Sequence, residues 1–205
     1  MLDTVGWRDA FRIELRAAAI GLASRGWPVV PGTYRGASTE GSPVPVRAGW
    51  VERHEPHPQR IAGWWATHPY SVLVATGSVV DAVEVDDELG RMAATLLRAA
   101  ERPAPIMSMP NGKWLYLTEA GRPVPDELAE RAGVRWHGEG SFVPVPPTPF
   151  EHGVVHWRVK PEIWEWKLPH PAAVHGILVR ALRAVTTGVT ELAEDTSHPV
   201  GTSAA

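Results

Sequence analysis

A chain of 205 residues, 44% hydrophobic and 21% charged, can bury one substantial core and leaves little room for a second independent domain. Its formal charge of −3 excludes the broad basic footprint of a strong non-specific nucleic-acid binder, leaving only local patches of Arg and Lys to meet phosphate. The lack of cysteine excludes disulfides and thiolate metal sites, and no apolar run reaches the length of a membrane span.

Residues 8–25 place Phe11, Leu15, Ala18, Ile20 and Leu22 among charges at close to helical spacing, and Gly26 stops the predicted helix. The charges Arg8, Asp9, Arg12, Glu14 and Arg16 are unlike the apolar core of a signal peptide, so a cytoplasmic protein is expected, with no membrane partner. Trp27 to Val30 reads as a short buried strand ended by Pro31-Gly32. From Thr33 to Pro58 no period is sustained, and this is a long loop rich in Gly and Pro. A second helix is predicted over Gln59–Thr67.

Ser71–Ala75 and Val79–Val85 read as two strands joined by Thr76-Gly77-Ser78, a hairpin expected to centre the sheet. Glu88–Glu101 is the clearest helix, with Leu89, Met92, Ala93, Leu96, Leu97 and Ala100 on one face. Ile106–Met109 and Lys113–Leu117 form a second predicted hairpin around Pro110-Asn111-Gly112. A short helix over Asp126–Arg131 precedes strands over Val134–Trp136, Ser141–Val145 and Gly153–Arg158. A helix over Ala172–Ala184, running on towards Leu192, closes the fold. The expectation is a single α+β domain over residues 1–190, a mixed, hairpin-rich sheet flanked by helices, with a disordered tail over 191–205.

Residues 79–90, VVDAVEVDDELG, carry the most chemistry. Side chains two apart on a strand share a face, so Glu84 and Asp86 form a carboxylate pair able to hold a divalent cation. The competing reading makes them solvated acids where a strand meets a helix, with Asp87 and Glu88 favoured at the helix N-terminus. Lys113, Arg135 and His137 offer a small basic surface for phosphate, against ordinary solvated charge. Trp114 is an aromatic platform for a base or, beside Leu115 and Leu117, a packing residue. Core packing or a loop clamp suits Trp64 and Trp65 better than base stacking. His54 and His57 have metal-compatible spacing but flank prolines and lack an obvious third ligand. No phosphate-cradling GxxxxGK[ST], nucleophile elbow or HExxH is present.

The order GWPVVP (Gly26–Pro31), the Trp64-Trp65 pair, an ATG turn (Ala75–Gly77), VEVDDELG, NGKWLYL (Asn111–Leu117) and GEGSFVPVPPT (Gly138–Thr148) resembles the N-terminal domain of bifunctional DNA primase/polymerases, the Prim-Pol branch of the archaeo-eukaryotic primase superfamily. The resemblance runs from about Ala17 to Trp157. It implies a primase/polymerase-type core and divalent-metal nucleotidyl transfer with Mg²⁺ or Mn²⁺. The family's Asp-x-Asp falls on Glu84 and Asp86, the positions implied as catalytic and metal-binding. Its Gly-Gly-x-His strand falls on Asn111–Leu117, with Trp114 at the histidine, and its third acidic position falls on Arg135. The nucleotide-binding set implied is Lys113, Trp114, Arg135 and His137. With two of three catalytic positions substituted, the expectation is a stand-alone, degenerate domain that binds nucleotide or DNA weakly or serves a replication-type protein partner. An active metal-dependent primase/polymerase and a non-catalytic scaffold are the alternatives.

Overall fold

In the computed structural model, the structure describes residues 4–34, 42–50, 57–102 and 104–195. Helix α1 (Thr4–Ala23) sends Leu15, Ala19 and Leu22, spaced four and three apart, into the core. Gly26, at φ 81°, then lets the chain turn directly into strand β1 (Val29–Gly32). Part of the long loop returns to this strand, as Thr33 N–H donates to the Val44 carbonyl at 2.8 Å and Gly32 bridges to Pro45. Helix α2 (Pro58–Trp64) has proline in its first turn, where the missing N–H costs nothing.

Strands β2 (Ser71–Ala75) and β3 (Val80–Asp86) follow, and helix α3 (Asp87–Ala99) begins directly at the end of β3. Next come β4 (Ile106–Ser108), β5 (Lys113–Glu119), α4 (Asp126–Ala129), β6 (Arg135–His137) and β7 (Phe142–Pro144). The chain closes with β8 (Pro149–Phe150), β9 (Gly153–Val154), β10 (His156–Val159), a 3-10 turn over Pro161–Trp164, and α5 (Pro171–Asp195). The final helix extends past the expected boundary at 190 as far as Asp195, and residues 196–205 lie outside the described residues.

The α+β class is as expected, but the expected mixed sheet is not found: every strand pairing among the described residues is antiparallel. The strands divide into a three-stranded sheet, β1-β2-β7, a five-stranded sheet, β10-β4-β5-β3-β6, and the small β8-β9 pair. One face of the five-stranded sheet packs on α3 and α5 through Val83, Val85, Tyr116, Leu97 and Leu178. The other meets α1, α2 and the three-stranded sheet through Ala82, Leu115, Leu117, Val72 and Val74.

The predicted hairpin of β2 with β3 does not form. β2 is buried on both faces and has both edges occupied, by β1 and β7, so no edge is left for β3. The Thr76-Gly77 turn instead carries the chain from one sheet to the other. A second crossing, from β6 to β7, is pinned to it: Thr76 N–H donates to the Ser141 carbonyl at 2.9 Å, and Thr76 Oγ1 donates to the Gly138 carbonyl at 2.6 Å. A Cβ on Gly77 would come within 2.3 Å of the Glu139 Cα, so only glycine permits this approach. The hairpin of β4 with β5 forms as predicted, with Met107 opposite Leu115.

Candidate functional site

The pinned crossing brings the β6–β7 connection alongside β3. In the register of β3 with its neighbours, Glu84 lies opposite Leu115 and Arg135, Ala82 opposite His137, and Asp86 opposite Lys113. Directly opposed residues share a face, so Glu84, Asp86, Lys113, Arg135 and His137 all project from one side of the sheet. Five of the six residues singled out in the sequence therefore meet at the C-terminal end of β3.

Trp114 is the exception. It lies opposite Val85 and packs on the other face, among Leu89, Ala93 and Tyr116 beneath α3. Its Nε1–H donates to Asp87 Oδ1 at 2.9 Å, and a Cβ on Gly90 would come within 2.6 Å of its ring. Asp87 also accepts from Arg91 at 2.8 Å. Asp87 and Glu88 occupy the first turn of α3, where carboxylates are favoured.

The two carboxylates of the pair have different partners. Glu84, with its side chain only 20% exposed, accepts from His137 Nε2–H at 3.2 Å. A carboxylate can only accept, so this contact fixes the proton on Nε2. In the neutral ring Nδ1 then accepts from the Ser141 hydroxyl at 3.0 Å. Burial pushes the Glu84 carboxyl up, but the hydrogen bond and attraction of His137, then the charges of Lys113 and Arg135, outweigh it and hold it below its ordinary value. Asp86, more than half exposed, is held by the Lys113 ammonium. Its carboxylate lies against Gly133, where a Cβ would come within 1.9 Å of Oδ2, so a side chain there would displace it.

Arg135 is exposed, and among the described residues no ion pair joins it to either carboxylate. The pairing roles that its charge suggests are filled by His137 and Lys113. Ser141 and Gly133 were not legible as site residues. The available signals were a serine four residues after His137 within GEGS, and a glycine two residues before Arg135.

Each carboxylate is engaged by a cation or a donor, and two fixed positive charges offset their two negative ones. Among the described residues no group of three or more His, Cys, Asp or Glu could hold a metal ion. His54 lies outside the described residues, and His57 sits at the start of α2, so their spacing defines no described site. Trp65 is fully buried and donates its Nε1–H to the Tyr70 carbonyl at 2.8 Å, as a core residue does. Trp64 is half-buried beneath the Arg47 guanidinium, 4.5 Å from the ring centroid.

The model of the family described as "Bifunctional DNA primase/polymerase, N-terminal" (Prim-Pol) matches residues 19–173, from within α1 to the start of α5. The chain belongs to the Prim-Pol family. No curated protein matches it. No helix among the described residues is long and apolar enough to cross a membrane.

The lowered Glu84 carboxyl sets a pH signature. The unfolded chain takes up a proton at this group before the folded one does, so its stabilisation is present above about pH 4.5 and is lost as pH falls through the folded value. Urea midpoints of wild type and Glu84→Gln should therefore differ most at neutral pH and converge in acid. Burial pushes Asp81 up, giving a trend of opposite sign, but Asp81 is present in both proteins and cancels in the difference. A gap that stays constant from neutral pH to pH 3 would remove His137 and Lys113 as the groups that matter to Glu84.

Proposed function

We propose that this domain is a degenerate primase/polymerase: it binds nucleotide or nucleic acid weakly, and its nucleotidyl transfer is weakened or lost. One observation carries the reading. The carboxylates at the family's Asp-x-Asp position are satisfied by His137 and Lys113 instead of being left to attract cations. Nucleotidyl transfer in this superfamily depends on divalent ions bridging the triphosphate and activating a hydroxyl. A site whose formal charges sum to zero with His137 neutral attracts such ions poorly.

The same charges suit a phosphate contact. Lys113, Arg135 and His137 lie on one face, and the exposed Arg135 guanidinium is the group most able to take a phosphate oxygen. Its packing beneath α3 supports a structural role for Trp114 rather than a base-stacking one. With an overall charge of −3, such contacts would be few, so few counterions would be released on binding DNA.

Primer extension with Mn²⁺ and with Mg²⁺ tests the catalytic half. The expected result is no extension above that of a Glu84→Gln/Asp86→Asn double variant. Extension that the double variant abolishes would restore an active polymerase. Titrating labelled single- and double-stranded DNA at two salt concentrations tests the binding half, with weak affinity and a shallow salt slope expected. Tight binding that collapses with salt would reveal a basic face that the composition hides.

A further inference from the structure

The face of the five-stranded sheet opposite Glu84 carries a second feature. Between the C-terminal half of α3, strand β10 and the 3-10 turn lies a groove of about 930 Å³. Its floor is apolar, formed by Ala94, Leu97, Ala104, Ile106 and Val159. Three arginines, Arg98, Arg102 and Arg158, line it with a single acid, Glu101. None of the three has an ion-pair partner among the described residues, and Arg158 lies 5.0 Å over the Trp114 ring. A hollow of about 540 Å³ adjoins the groove and shares Leu97, Glu101, Arg102, Ile163 and Trp164 with it. The ridge between the two is Ile163 and Trp164, 63% and 39% exposed.

Two helix ends border the same place. Among the described residues only Glu101, Glu165 and Trp166 combine a side chain with positive φ, at 52°, 54° and 64°. Glu101 lines the groove, Glu165 lines the adjoining hollow, and Trp166 follows it directly. These are helix C-terminal caps: the Glu101 and Arg102 N–H groups donate to the Arg98 and Leu97 carbonyls, and those of Glu165 and Trp166 to the Glu162 and Pro161 carbonyls, which fixes the groove's edge. Here Trp166 is locked against Trp27, edge to face at 5.9 Å, with the Arg25 guanidinium 3.9 Å over its ring. That anchor turns the 161–164 segment outward, presenting Ile163 and Trp164 to solvent beside the arginines.

We propose that this groove docks a protein partner through an acidic amphipathic segment, its apolar side chains on the floor and ridge and its carboxylates on the three arginines. An excess of positive charge around an apolar floor, on a chain of net charge −3, is complementary to that chemistry. Exposed Trp and Ile beside Arg have the composition of an interface hot spot. The most exposed ridge residue is aliphatic and offers no stacking face, which favours a peptide over single-stranded nucleic acid.

The test uses the full chain, nitrogen-15 labelled, and a synthetic amphipathic helix with leucines and a phenylalanine on one face and glutamates flanking them. The indole N–H resonances of Trp114 and Trp164 should shift on titration, while those of Trp65 and of Trp157, which packs on the other face of the sheet, stay fixed. Replacing the peptide's glutamates by glutamine, or its apolar face by serine, should weaken binding by about tenfold or more. Arg98→Glu/Arg102→Glu should abolish it, and the milder Arg98→Gln/Arg102→Gln should weaken it. Both arginines are exposed, so the fold should be retained, and an unchanged far-ultraviolet spectrum would verify this. The proposal is overturned if the peptide shifts neither the Trp114 nor the Trp164 resonance, if affinity survives the charge reversal, or if oligothymidylate displaces the peptide from the groove with higher affinity. The outcome is independent of Glu84, which lies on the other face of the sheet.

Discussion

Arg135→Asp should raise the affinity of the Glu84–Asp86 site for Mn²⁺ by roughly 30- to 100-fold at low salt. Arg135 stands directly across from Glu84 on the same face, so the substitution changes the local charge by two units within a few ångströms of the carboxylate pair. For a divalent ion about 6 Å away in a water-like medium, two units of charge amount to about 2–3 kcal/mol. Arg135→Gln, which removes only one unit, should fall between wild type and Arg135→Asp. High salt should compress the series, because the arginine is exposed and its field is screened. Titration followed by the electron paramagnetic resonance of free Mn²⁺ measures all three proteins. Equal affinities would mean that fixed charge does not set how well the carboxylates hold a metal, and the degenerate-site reading would lose its physical basis.

Trp65→Ala should cost about 3–5 kcal/mol of folding stability, whereas Trp64→Ala should cost less than about 1.5 kcal/mol. The neighbours differ because one ring is fully buried, edge to face with Tyr70 at 6.0 Å and donating to the Tyr70 carbonyl, while the other is half-buried under Arg47. Losing Trp65 removes a whole indole from the core beneath the three-stranded sheet and leaves the Tyr70 carbonyl without its donor. Against a typical total of about 5–15 kcal/mol, that is a large share of the stability. Guanidinium denaturation of the two variants measures the difference. A similar small loss in both would show that the Trp64-Trp65 pair is not divided between core and surface.

The site was legible as a set of residues but not as a set of contacts. The alternation of VEVD put Glu84 and Asp86 on one face, and the acidic run after them marked the start of α3, because both features follow from strand and helix periods within a few residues. Which partner each carboxylate takes was not local information. His137 reaches Glu84 across 53 residues of chain, and Lys113 reaches Asp86 across 27. The sequence placed Trp114 within a nucleotide-binding set, yet the register puts its side chain on the far face. A shift of one residue along a strand exchanges the faces, and a motif carries no information about which register the sheet adopts.

The α+β class, most of the elements, the carboxylate pair and the family could be read from the chain alone, since these rest on periodicity, turn residues and the order of short motifs. Packing alone sets that β2 and β3 enter different sheets, that His137 and Lys113 bond the carboxylates while Arg135 forms an ion pair with neither, and that Trp114 and three arginines border a groove on the opposite side. Those outcomes depend on which strand edges are already occupied and which faces are already buried. Both are properties of the whole packed chain, and no window of neighbouring residues contains them.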